Sequence, residues 1–205
     1  MEQPSKENVA FEIYQELGEC YTHEGNIVKA VEHFEAALAI DHFSERPLVG
    51  LGVAVLQQNR LEEAKQYFKK AAAINPNSDK ALTGLAMAMS NNGEAAAGLI
   101  KYQEAMDINP ANLTALLGLV QSAYKMNSLA PAVRYLKGYL EHYPANAKIL
   151  YCLAGTYYKQ NNFSACREII DQILIFQPDH SEAHELLKKL NEGRQEYSYG
   201  RCQNA

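Results

Sequence analysis

Residues 45–76 read ERPLVGLGVAVLQQNRLEEAKQYFKKAAAINP, and residues 79–110 read DKALTGLAMAMSNNGEAAAGLIKYQEAMDINP. Aligned at an offset of 34 residues, they put Leu48 over Leu82, Gly50 over Gly84, Leu51 over Leu85, Phe68 over Tyr102, Ala71 over Ala105 and Pro76 over Pro110. The same step carries on to Pro144 and Pro178, and one step back lands on His42. Gly118 and Cys152 extend the series begun by Gly50 and Gly84, and a second ladder runs Gly25, Asn59, Gly93, Asn127, Asn161. A fixed period of this length signals a repeat architecture, in which each repeat is one small unit stacked on the next.

Each ladder has a mechanical reason. Gly and Asn tolerate the left-handed conformation that ends a helix, so their ladder marks a turn between two helices in every repeat. Proline cannot continue a helix and marks the end of the second one. Between these marks apolar residues recur at steps of three and four, as in Leu48, Leu51 and Val55, then Leu61, Ala64, Tyr67, Phe68 and Ala71. The pattern predicts an all-α array of antiparallel helix pairs.

Starting the first repeat at Phe11 gives units at 11–44, 45–78, 79–112, 113–146 and 147–180, after a lead-in at 1–10. In this register the chain resembles the tetratricopeptide repeat family. The first unit supplies Tyr14, Leu17, Gly18, Tyr21, Ala30, Phe34 and Ala37, with His42 where the motif has proline. The second supplies Leu48, Leu51, Gly52, Val55, Ala64, Phe68, Ala71 and Pro76. The third keeps Leu82, Leu85, Ala86, Met89, Tyr102, Ala105 and Pro110 but has Gly98 in place of alanine. The later units drift at Val120, Tyr139, Cys166, Ile170 and Ile173. The resemblance implies a right-handed superhelical solenoid of helix pairs. Residues 181–193 are expected to form a capping helix with Leu186, Leu187 and Leu190 facing the fifth unit, and residues 194–205 a disordered tail.

If positions 4, 7, 8 and 11 of each first helix face the core, positions 2, 5, 9, 12 and 13 face the other way. In the first unit these are Glu12, Gln15, Glu19, Thr22 and His23; in the second Arg46, Val49, Val53, Leu56 and Gln57; in the third Lys80, Thr83, Met87, Ser90 and Asn91. The fourth gives Thr114, Leu117, Gln121, Tyr124 and Lys125, and the fifth Lys148, Tyr151, Gly155, Tyr158 and Lys159. The expected partner-binding groove therefore comprises Val49, Val53, Leu56, Thr83, Met87, Leu117, Gln121, Tyr124, Lys125, Lys148, Tyr151, Tyr158 and Lys159. Tyrosines would anchor the partner and lysines orient it. Residues 1–44 hold nine acids and two bases, a net of −7, whereas residues 113–167 hold six bases and one acid, a net of +5. An acidic segment or carboxyl terminus of a partner is expected at the basic end, although charge asymmetry also serves solubility. The aliphatic centre would be covered by a partner, by the tail or by a second copy of the chain. Gly50, Gly84 and Gly118 at position 6 have two readings, close packing between neighbouring first helices or close approach of a ligand backbone. Gly98, at a helix start, is expected to tolerate alanine.

Composition narrows the function further. The 205 residues are 47% hydrophobic and 21% charged, with 19 Lys and Arg against 24 Asp and Glu for a net charge of −5, which argues against general nucleic-acid binding. No stretch has the roughly 18 unbroken apolar residues of a spanning helix, and MEQPSKENVAFEIYQELGE lacks a basic, then apolar, leader pattern; a cytoplasmic protein without membrane insertion is expected. Cys20, Cys152, Cys166 and Cys202 form no CxxC pair. HSEAH at 180–184 lacks the glutamate that must follow the first histidine of a zinc-protease helix, and no phosphate loop or nucleophile elbow occurs. Neither metal, cofactor nor catalysis is expected. The co-chaperone carboxylate clamp of the resembled family is missing in every register, since Gln15, Glu19 and Gly50, or Val49, Val53 and Gly84, stand where its lysine and asparagines should be. The reading is a non-catalytic interaction scaffold or adaptor. Its alternatives are a self-assembling head-to-tail homo-oligomer and an accessory subunit of a bacterial enzyme, secretion or surface-modification complex.

Overall fold

The structure is a computed structural model that describes the backbone of residues 6–202 and the side chains of residues 6–192. All its regular elements are helices, eleven among the described residues. They fall into two compact units, Met1–Met126 and Asn127–Ala205, divided between the two helices of the fourth repeat.

The first unit holds α1 (Lys6–His23), α2 (Ile27–Ile40), α3 (Glu45–Gln57), α4 (Leu61–Ile74), α5 (Asp79–Asn91), α6 (Ala95–Ile108) and α7 (Leu113–Lys125). Consecutive helices pack together, and α1, α3, α5 and α7 also touch in sequence, so the first helices of the repeats lie side by side. The second unit holds α8 (Leu129–His142), α9 (Ala147–Lys159), α10 (Phe163–Phe176) and α11 (Ser181–Cys202), each packed on the one before. On α11, Ala183, Leu186 and Leu190 are buried and Leu187 is half-buried. The helix runs past its expected end at 193 to Cys202, through a stretch, GRQEYSYGRC, that contains no proline to stop it. The remainder of the expected tail, 203–205, and the first five residues of the lead-in lie outside the described residues; α1 already begins at Lys6.

The turns are set by local chemistry. Gly25, Asn59, Gly93, Asn127 and Asn161 all have positive φ, between 52° and 85°, as their ladder predicts. Asn26, Ser78, Asn112, Asn146 and Asn162 cap the helices that follow them, each accepting a hydrogen bond from the backbone N–H three residues on. At the far ends, Asn75 and Asn109 are extended, as a residue before proline must be. Asp41 takes the same conformation before His42, so the first repeat turns correctly without its proline.

Within the first unit the core includes three rings, Phe34 and Phe68 each between two glycines and Tyr102 against one. A Cβ on Gly18 would stand 2.6 Å from the Phe34 ring and one on Gly50 only 2.4 Å from it. Gly52 and Gly84 enclose Phe68 in the same way, and Gly118 closes on Tyr102 at 2.2 Å. Neither expected reading of the glycine ladder holds as stated: these glycines leave room for the aromatic ring of the preceding second helix. Burial of such a ring contributes roughly 1.5–3 kcal/mol, against a helix-propensity cost of roughly 1 kcal/mol for each glycine. Burial pushes the Tyr102 hydroxyl up to about 12, with its hydrogen bond to Ser90 opposing. Gly98 corrects another expectation. A Cβ there would meet Ser90 Oγ at 2.2 Å and the Ala86 carbonyl oxygen at 2.9 Å, so this glycine lets α6 approach the α5 backbone.

Polar side chains close the second and third repeats on themselves, and Lys65 ties one to the other. Asn75 donates to Glu45 at 3.1 Å, and Asn109 repeats the bond to Asp79 at 2.7 Å. Asn112 also donates to Asp79 and to the Thr83 hydroxyl. Lys65, on the second repeat, bonds Glu94 of the third at 2.5 Å and Glu62 at 3.1 Å.

Candidate functional site

Side chains of α1, α3 and the start of α5 line a cavity of about 250 Å³ on the first-helix face. Its walls are Gln15, Glu19, Thr22 and His23 from α1, then Glu45, Arg46, Val49, Gly50, Val53 and Gln57 from α3, with Ser78 and Lys80 at the start of α5. The Phe34 ring reaches it past Gly50. Val53 is 37% exposed. Arg46 is occupied, donating from one guanidinium nitrogen to both carboxylate oxygens of Glu12 at 2.8 and 3.0 Å. Gln15 is 2% exposed; its Nε2 donates to Glu19 Oε1 at 2.7 Å, while its own Oε1 is buried without a donor.

The expected groove residues separate according to how much packing takes from them. Val49 and Val53 line the cavity. Val49 and Leu56 are half-buried against the core formed by Val55, Ala64, Phe68 and Leu85. Thr83 is buried, its hydroxyl donating to the Asp79 carbonyl oxygen at 2.6 Å and accepting from Asn112. Met87 and Tyr124 are half-buried, whereas Leu117, Gln121 and Lys125 are exposed. In the second unit Lys148 and Lys159 are exposed. Tyr151 stacks on His180 with ring centres 5.7 Å apart, and Tyr158 lies tilted against Phe163 at the same separation. Tyr151's hydroxyl is pushed up by burial first and then by Glu185 and Glu182. Acidic side chains of α11 thus stand near Tyr151.

Glu45, Ser78 and Gly50 also reach the cavity, though they lie off the predicted groove positions. Ser78 does so as the cap of α5 and Glu45 as the first residue of α3, roles visible only once helix ends are in place.

Cys166 is buried, and burial raises its thiol to about 11; Cys152 is also raised by burial. Both shifts oppose thiolate formation. The histidines of HSEAH are held by backbone: His180 Nδ1 accepts from Ala183 N–H at the start of α11, and His184 Nε2 lies 2.7 Å from the Pro178 carbonyl oxygen. Among the described residues there is no group of three His, Cys, Asp or Glu placed to hold a metal ion. No described helix is long and apolar enough to cross a membrane.

Side-by-side first helices with packing-free residues on one face define a helical-repeat interaction protein. The chain belongs to the tetratricopeptide repeat family, whose sequence profiles match residues 9–77 and, separately, 55–100 with 123–190. Its fold is similar to that of pilF from Pseudomonas aeruginosa, with 18% identity, a TM-score of 0.74, and 95% of this chain and 88% of that one covered. YrrB, described as a TPR protein with an unusual peptide-binding site, aligns at 20% identity and a TM-score of 0.65 over 90% of this chain and 98% of that one. The MamA protein aligns at 17% identity and 0.67, covering 84% and 94%. No protein of curated function matches the sequence.

Proposed function

We propose that the protein is a non-catalytic scaffold that holds a segment of a partner protein against its first-helix face. One observation carries this reading: α1, α3 and the start of α5 line a cavity in which Phe34, Val49 and Val53 stand among polar side chains. Ligand sites are characteristically concave, largely apolar and edged by a few polar groups. The peptide-binding site ascribed to YrrB, on a similar fold, agrees with it. On this reading the exposed Lys148 and Lys159 attract an acidic segment or carboxyl terminus of the partner.

The test places a photo-crosslinking amino acid at Val53 or Leu117 on first helices, and at Val28 or Ile100 on the exposed side of second helices. Adducts with a partner should concentrate at the first two positions. Equal yield at all four, or preference for Val28 and Ile100, overturns the proposal.

A second reading rests on the opposite charges of residues 1–44 and 113–167, which suit head-to-tail association of copies. Sedimentation at rising concentration separates it, since self-association predicts a mass that grows with concentration and shrinks with salt.

A further inference from the structure

Resting on that groove reading, we infer that the cavity of the first unit is a subsite for a lysine side chain of the partner segment. The cavity has one end that asks for hydrogen-bond donors. Gln15 is 98% buried, and its amide orientation is fixed because Nε2 donates to Glu19. Turning the amide over would set its oxygen against the Glu19 carboxylate. Oε1 is consequently left as a buried acceptor without a donor among the described residues, an arrangement that native structures seldom keep without a reason. Beside it, Glu19 is exposed and accepts one amide N–H, while an ionised carboxylate can accept about four hydrogen bonds.

The cations already present do not serve this end. Arg46 is neutralised by its two bonds to Glu12. Lys80 stands at position 2 of its repeat and Glu19 at position 9 of its own, with α3 packed against both helices. Seven residues of offset is about 10 Å along a helix, so Lys80 marks the opposite corner. Between the corners lie Phe34, Val49 and Val53, an apolar strip for the four-carbon stem. A lysine ammonium has three donors on one compact tip, so it can bond the exposed Glu19 and, with a small outward rotation of the Gln15 side chain, Gln15 Oε1 as well. The negative charge of residues 1–44 favours its approach.

The probes are three blocked seven-residue alanine peptides whose central residue is lysine, norleucine or glutamate, titrated into the full chain and followed by NMR. The readouts are the Gln15 side-chain amide, the Val49 and Val53 methyls, and the Leu117 methyls as a reference elsewhere on the first-helix face. The lysine peptide should shift the Gln15, Val49 and Val53 signals and bind roughly tenfold tighter than norleucine, the effect of one hydrogen bond to a charged group. Glu19→Gln, at an exposed position, should remove most of that preference. Gln15→Met should do the same while raising Tm, because it deletes the unpaired acceptor. Equal binding of norleucine, preference for glutamate, or shifts confined to Leu117 overturns the lysine subsite and leaves the groove reading in place. Absence of any shift on the first-helix face with all three peptides overturns both.

Discussion

In the unit of residues 1–126, Phe34, Phe68 and Tyr102 each lie against a glycine sixteen residues on, Gly50, Gly84 and Gly118. In the unit of residues 127–205 the corresponding second-helix residues are Leu136 and Ile170, and the residues sixteen on are Cys152 and Leu186. All five second-helix side chains are buried. One region fills the place with a large ring and no opposing side chain, the other with a smaller aliphatic group and a larger partner. A ring stands where the opposing position is glycine and a smaller aliphatic side chain where that position carries a side chain, a compensating exchange of the kind a close-packed core tolerates.

The comparison breaks most visibly if the rings are removed. Phe68→Ala should cost about 3–5 kcal/mol in urea unfolding, because the glycines on either side cannot collapse onto the space. A loss below about 1 kcal/mol would show that the ring is not the core of its repeat. The glycines come next. Gly84→Ala should cost about 1–3 kcal/mol through overpacking, whereas Cys152→Ala in the other unit should stay within roughly 1 kcal/mol. Pairing Gly84→Ala with Phe68→Leu should recover part of the summed loss, and strict additivity would refute the coupling. Gly98→Ala should be destabilising by a similar amount, although its neighbours are the Ser90 hydroxyl and the α5 backbone instead of a ring.

The smallest effect concerns Lys65, which links two repeats of the first unit. The Glu94 carboxyl is held below its ordinary value near 4.5 by the Lys65 hydrogen bond and then by Asn92. A depressed carboxyl contributes stability that is present above its unfolded pKa and is lost as pH falls through its folded one. Lys65 itself is raised above 10.5, by Glu94 and then Glu62, so its share is full below that value and is lost at still higher pH. Lys65→Met should flatten the acid limb of a Tm-against-pH curve between pH 4.5 and the depressed pKa. Identical acid limbs in the two proteins would remove the ion pair from the stability of the array.

The helix pairs and their turns were legible in the sequence because their causes are local. Asn59 needs only its own left-handed tolerance to end a helix, and Pro76 only its own ring. The Gly84 ladder was equally visible, but its reason was not: Phe68 lies on the preceding helix, and only packing shows that the ring occupies the glycine's missing Cβ. Gly98 misled for the same reason, since its constraint comes from Ser90 and Ala86 on another helix. At the site, helical periodicity brought Val49 and Val53 to the cavity. It could not show that Thr83 is consumed by a bond from Asn112, or that Tyr151 and Tyr158 already rest on His180 and Phe163. Gln15 stood among the groove positions, yet its burial and unpaired oxygen depend on how α1 meets its neighbours.

The ring-and-glycine pairs also constrain the order in which such a sequence can change. Starting from Phe34 and Gly50, a side chain cannot appear at residue 50 while the ring remains, because 2.4 Å admits no carbon there. The ring must shrink first, passing through an intermediate with a cavity, and only then can the glycine grow. Reversal from a Leu136 and Cys152 type of pair must run the other way, with the side chain at the second position lost before a ring is gained. Drift at one repeat is therefore gated by a residue sixteen positions away, and it has a preferred direction of travel.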